Sequence, residues 1–94
     1  MSEILYYPYP ANDGNYKYYI ITSSGRKIYF GAKGYSDYTK HKDPTRKQRY
    51  IERHKDKENW TKSGIDIAEF WSRWLLWNKP TIEESYNDIK KRFF

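Results

Sequence analysis

Cysteine is absent from this chain of 94 residues, which excludes a disulfide framework and any thiolate metal site and fits a reducing compartment. No stretch approaches the ~20 apolar residues of a membrane span. Residues 1–14 lack the basic start and apolar run of a signal peptide. A soluble chain is therefore expected, with no membrane partner beyond peripheral contact. Apolar residues are few, at 37% of the chain, yet 20% of all residues are aromatic: eleven Tyr, four Trp and four Phe. Each ring buries about 150–250 Å², so a core of Trp, Tyr and Ile can stand in for a larger aliphatic one. A chain of this length makes one domain and buries roughly 60–65% of its unfolded surface. There is no internal repeat and no low-complexity tract.

What is present in excess is positive charge, and it is localised. The formal net charge is +6. Residues 26–62 hold twelve Lys/Arg against five Asp/Glu, a local +7, while residues 1–25 come to −1 and residues 63–94 balance at zero. Tyr, Trp and both histidines are threaded through the same stretch. Localised positive charge with interleaved aromatics suits a polyanion, which makes nucleic acid the leading candidate partner.

The expected fold class is α+β, a small N-terminal antiparallel β-hairpin packed on about three helices around an aromatic-rich core. Residues 1–14 read as an extended Tyr/Pro arm, because Tyr7-Pro8-Tyr9-Pro10 favours extended backbone and Asn12-Asp13-Gly14 marks a turn. Residues 15–94 read as a single compact domain. The hairpin spans 16–30, with Ser23-Ser24-Gly25 as its turn; Tyr16, Tyr18 and Ile20 share one face, and Ile28 and Phe30 share a face of the return strand. Residues 31–43 read as a loop. Asp43-Pro44 then supplies an N-cap and a first-turn proline for a helix to about Lys57. One face of that helix is sparsely apolar (Lys47, Tyr50, Ile51, His54), and Arg46, Arg49, Arg53 and Lys57 form a basic stripe within about 80° of one another. Ser63-Gly64-Ile65-Asp66 resembles a capping box for a core helix to Leu76 or Trp77, with Ile67, Phe70, Trp71, Trp74 and Leu75 inward and Glu69–Arg73 as an i,i+4 pair on the wet side. Asn78-Lys79-Pro80 breaks it. Thr81 and Glu84 cap a last helix with Ile82, Tyr86, Ile89 and Phe93 on one stripe.

Gly31, Lys33, Gly34, Tyr35, Asp37, His41, Lys42, Arg53, His54, Trp60, Gly64, Trp71, Trp74, Trp77 and Pro80 occur in the order seen in a family of small uncharacterised proteins of large nucleocytoplasmic DNA viruses of amoebae and algae. Residues 17–93 resemble that family, and the arm stands outside it. The resemblance implies a viral origin, a compact domain and a place in an infected host cell, in cytoplasm or nucleus, or in the virion. It supplies no mechanism.

The residues that carry candidate chemistry are Lys33, Lys40, Lys42, Arg46, Arg49, Arg53 and Lys57, as phosphate contacts of low sequence specificity. Tyr35 and Tyr38 would stack on unpaired bases or else lock the loop, and Trp60 is expected to lock the loop onto the hairpin. His41 and His54 lack metal-ligand spacing, and His54 reads as structural. No catalytic residue, cofactor or metal is assigned. Two alternatives stand beside binding. One is a structural or virion protein that meets partners or its own copies through the 1–14 arm. The other is a degenerate nuclease: Tyr18 or Tyr19, Tyr29, Arg49 or Arg53, His54 and Glu69 resemble the GIY-YIG signature, with Lys17 in place of its leading glycine and no obvious third strand.

Overall fold

The turn at residues 22–26 sets the register of everything N-terminal to it. Gly25 takes φ +87°, and Thr22 and Arg26 close the turn through Thr22 N–H to Arg26 O at 2.9 Å. The buried Thr22 hydroxyl is satisfied by Ser24 Oγ at 2.9 Å and accepts from Arg26 N at 3.3 Å. Strands β2 (Tyr16–Ile21) and β3 (Lys27–Ala32) then pair antiparallel, with Tyr18 opposite Phe30, Tyr19 opposite Tyr29 and Ile20 opposite Ile28. The computed structural model describes residues 4–12 and 14–94. The turn expected at Asn12-Asp13-Gly14 therefore falls partly outside the described residues, because Asp13 does.

The hairpin carries a third strand. Strand β1 (Tyr9–Pro10) pairs antiparallel with β2, giving a sheet of order β1-β2-β3, with Tyr9 opposite Tyr19. Residues 4–12 of the arm lie along the sheet edge of their own chain. Tyr6 N–H donates to Ile21 O and Ala11 N–H to Lys17 O, both at 2.9 Å. Tyr6 itself sits at φ +56°, and its hydroxyl accepts from Ser23 N at 3.1 Å, which helps hold a conformation uncommon for a bulky residue. Proline at an edge position costs the ladder little.

The chain divides into two compact units, Met1–Tyr35 and Ser36–Phe94. The first is the sheet. Its buried face holds Ile20 and Phe30, as the two-residue alternation requires, and Tyr18 stacks on Phe30 at 6.1 Å between centroids.

The second unit is helical, with four α-helices. The segment expected as loop contains α1 (Tyr38–His41). Asp37, 2% exposed, caps it by accepting from Thr39 N at 2.9 Å and from the Thr39 hydroxyl, and Lys42 ends it in the left-handed region at φ +54°. Helix α2 (Pro44–His54) starts where Asp43-Pro44 places it, since Asp43 Oδ1 accepts from Thr45 N at 2.9 Å and Arg46 N at 3.4 Å. It stops three residues before Lys57, which lies in the turn that follows.

The capping box at residues 63–66 does not form. Lys62–Gly64 is a 3-10 turn built around Asn59, whose Oδ1 accepts from Thr61 N at 3.1 Å and whose amide donates to Ser63 Oγ at 2.8 Å. Gly64 presses against this turn so closely that a Cβ there would stand 2.3 Å from Asn59 O. The Ile65 carbonyl is taken by Trp71 Nε1 at 2.8 Å. Helix α3 (Ala68–Trp71) begins later, with Ile67 as an extended N-cap, and widens into a π-helical turn over Ser72–Leu76. The core stripe drawn for an unbroken helix shifts accordingly. Ile67, expected inside, is 39% exposed, whereas Leu76 joins Phe70, Trp71 and Leu75 in the core.

Helix α4 (Ile82–Phe93) is capped as expected, with Thr81 Oγ1 accepting from Glu84 N at 3.1 Å. It packs on the π-helical turn, and Ile89 is fully buried. Phe93 sits edge-on to Phe70 and Trp74, with centroids 4.9 and 5.4 Å away.

Candidate nucleic-acid interface

Helix α2 divides its side chains by face. On the inner side Lys47 Nζ donates to Asn78 O at 2.7 Å and lies 5.0 Å from the centre of the Tyr38 ring. Burial lowers the Lys47 pKa, helped by the nearby charges of Arg73 and Lys79 and opposed by Asp88. Tyr50 stacks flat on Trp77, with centroids 4.4 Å apart and planes 3° from parallel, and its other neighbours are His54 and Trp60. His54 Nδ1 is 2.8 Å from Glu58 Oε2, so this histidine is tied into the turn that ends the helix.

The outer side is different. Arg46, Arg49 and Arg53 are exposed, and Lys57 follows them, also exposed. Arg46 to Arg53 spans about 10 Å along the axis. Among the described residues the side chains of Arg46, Arg49, Arg53, Lys57, Lys40 and Lys42 make no hydrogen bond, ion pair or ring contact. Glu52 is occupied instead by Gln48 Nε2 at 3.2 Å. Arg49, Glu52 and Arg53 line a shallow, open depression. The N-terminal amides of α2 are already taken by Asp43, so phosphate contact on this helix rests on side chains.

Lys40 lies in α1 and Lys42 at its C-cap, so the second unit holds six of the seven proposed phosphate contacts. Lys33 and Tyr35 belong to the first unit. Lys33 follows β3, and Tyr35, 75% exposed, accepts from Lys17 Nζ through its carbonyl at 2.5 Å. Tyr38 is half-buried, with His41 against its edge and Lys47 over its face. Trp60 is anchored by Nε1 to Glu58 Oε1 at 3.0 Å, and its carbonyl accepts from Trp74 Nε1 at 2.8 Å. No aromatic ring of the second unit that was expected to stack is left standing clear.

His41 Nδ1 accepts from Asp43 N at 3.0 Å, which places the ring proton of the neutral form on Nε2, a buried atom beside Trp77 that has no hydrogen-bond partner among the described residues. Among the described residues no three His, Asp or Glu gather as a metal site. The residues that resemble the GIY-YIG signature fall in both units: Tyr18, Tyr19 and Tyr29 in the sheet, and Arg49, Arg53, His54 and Glu69 in the helical unit.

Arg73 does not pair with Glu69. It turns inward, donates from Nη1 to Trp77 O at 2.8 Å, and lies 4.3 Å from the centre of the Trp74 ring and 5.4 Å from that of Trp60. Arg92 covers Trp74 as well, at 5.0 Å. Desolvation lowers the Arg73 pKa, with Tyr50 and Asp88 opposing and Arg92 adding to it.

The cross-strand register sets Tyr9, Tyr19 and Tyr29 side by side on the face opposite Ile20 and Phe30. Their centroids are 5.6 Å and 5.4 Å apart, Tyr7 and Tyr16 extend the row, and Lys27 Nζ lies 5.1 Å from the centre of the Tyr19 ring. The signal in the sequence is the Tyr at 19 and 29, but only pairing brings them together.

Residues 9–54 match the model of a family of unknown function, DUF5754. The match runs from β1 to the end of α2 and so takes in both the tyrosine row and the three arginines. No curated protein and no solved structure matches the chain.

Proposed function

We propose that this protein binds nucleic acid, DNA in the first instance, without catalysis and with low sequence specificity. Phosphates would lie against Arg46, Arg49, Arg53 and Lys57, with Lys40 and Lys42 assisting. The observation that carries this reading is the set of uncommitted cations: three arginines exposed on one face of α2, with no acid paired to them among the described residues. Arginine suits phosphate through its planar fork of donors, and such contacts set affinity and salt dependence without reading bases. Tyr38 and Trp60 are engaged in the fold, so this face offers phosphate contact alone and suits a duplex.

Arg49→Gln with Arg53→Gln should weaken duplex binding in fluorescence-anisotropy titrations and leave the circular dichroism spectrum unchanged. Unaltered affinity in the folded variant would remove the site. The viral resemblance supplies the setting for the proposal, an infected cell or a virion, and recovery of the chain in purified particles is its check.

A further inference from the structure

We propose that the tyrosine row on the sheet of the first unit is a second contact surface, one that stacks the unpaired bases of single-stranded nucleic acid. The inference takes the polymer from the reading above and adds a different surface and a different chemistry. Tyr9, Tyr19 and Tyr29 are consecutive cross-strand neighbours, half-buried and in ring contact at 5.6 and 5.4 Å, so they form one continuous aromatic strip across all three strands. The opposite face of the sheet holds the buried Ile20 and Phe30, and the tyrosine face carries the buried Ile21 at its end, paired with Lys27. A strip of this kind accepts any base, because every base has a π-face.

The charge around the strip selects a polyanion. Residues 4–12 and 14–35 contain no Asp or Glu, and Asp13 lies outside the described residues. Lys17, Arg26, Lys27 and Lys33 are the cations of the same span, and Lys27 sits directly on the Tyr19 ring. An aromatic strip with Lys27 on it, and no acid among the described residues of its unit, has the composition of a single-strand binding surface, in which rings take bases and amines take the phosphates between them.

The test compares three equal-length ligands with the full chain at low salt: an oligothymidine, its abasic counterpart and a duplex. The abasic strand keeps the phosphates and removes the bases. Oligothymidine should bind at least about tenfold tighter than the abasic strand, the effect of roughly one stacked base. Tyr19→Thr with Tyr29→Thr, which keeps β-formers in the strands, should abolish that preference while abasic-strand and duplex binding persist. Tyr19→Phe with Tyr29→Phe should retain it. An iodouracil-substituted strand should photo-crosslink to Tyr9, Tyr19 or Tyr29 in the unmodified protein, a readout that needs no variant to fold.

Equal binding of oligothymidine and abasic strand would overturn the inference, as would crosslinks confined to the second unit. Either result, with duplex binding intact, leaves the arginine face standing. Base-dependent binding without duplex binding would instead remove the arginine face and support the tyrosine strip. No binding of any ligand removes both.

Discussion

At the scale of single residues, the decisive effects come from where polar groups are taken out of water. Arg73 is the clearest case. On the sequence it belongs to an exposed pair with Glu69; in the fold it lies on Trp74, donates to the Trp77 carbonyl and leaves its buried Nε without a hydrogen-bond partner among the described residues. An arginine on a ring is stabilised by the quadrupole and by its own weak hydration, which a helical-wheel reading cannot see. Tyr50 gives a prediction at the same scale. Its hydroxyl pKa is raised, first by burial and then by the Glu58 carboxylate, with Arg73 opposing and Glu69 adding to the rise. A folded-state pKa above the unfolded one means the contribution to stability is fully present below about pH 10 and declines as pH rises past it. Urea denaturation across the alkaline range should therefore show the parent losing more stability than Tyr50→Phe. Parallel losses would show that Tyr50 does not govern the alkaline limb.

At the scale of elements, local signals succeed where they need only a few neighbouring residues. Asp43-Pro44 starts α2 and Thr81 caps α4, because an N-cap is made within one turn. Gly25 likewise makes its hairpin turn alone. The segment before α3 fails the same logic. Ser63 has the right spacing to cap a helix, but Asn59 claims it, and Trp71 claims the carbonyl of Ile65 from six residues away. The reason for glycine at position 64 then lies in the approach of Asn59. Gly64→Ala should cost about 1–3 kcal/mol through overpacking against backbone, measurable by chemical denaturation. A loss below a few tenths would mean that the Asn59 turn yields easily. The π-helical turn at Ser72–Leu76 was equally invisible, since no residue type encodes it; its effect is seen in Leu76 buried and Ile67 exposed.

At the scale of the whole molecule, charge and topology separate. The excess charge sits in residues 26–62, and that placement could be read directly from the chain. Four phosphate contacts by Arg46, Arg49, Arg53 and Lys57 predict a slope of log affinity against log salt of about −3.6 for duplex DNA, and loss of two arginines should flatten it by roughly 1.8. A slope near zero in the parent would show that the cations on α2 are simply solvated. The α+β class was also legible, because period-two segments rich in Tyr and Ile precede period-3.6 segments rich in Trp and Leu. The division into two units was not, since it depends on which segments contact which.

Sequence alone determined the hairpin turn, two helix starts, the alternation of the hairpin and the location of the basic stretch. All of these depend on residues within one or two turns of each other, or on composition. Tertiary structure decided the rest. It drew Tyr9-Pro10 onto β2 as a third strand, moved Arg73 inside, delayed α3 and aligned three tyrosines from three strands. Each of those outcomes is settled by competition for a hydrogen-bond partner or a ring face, near in sequence for Arg73 and α3 and distant for the strands, and the linear pattern holds no record of which competitor wins.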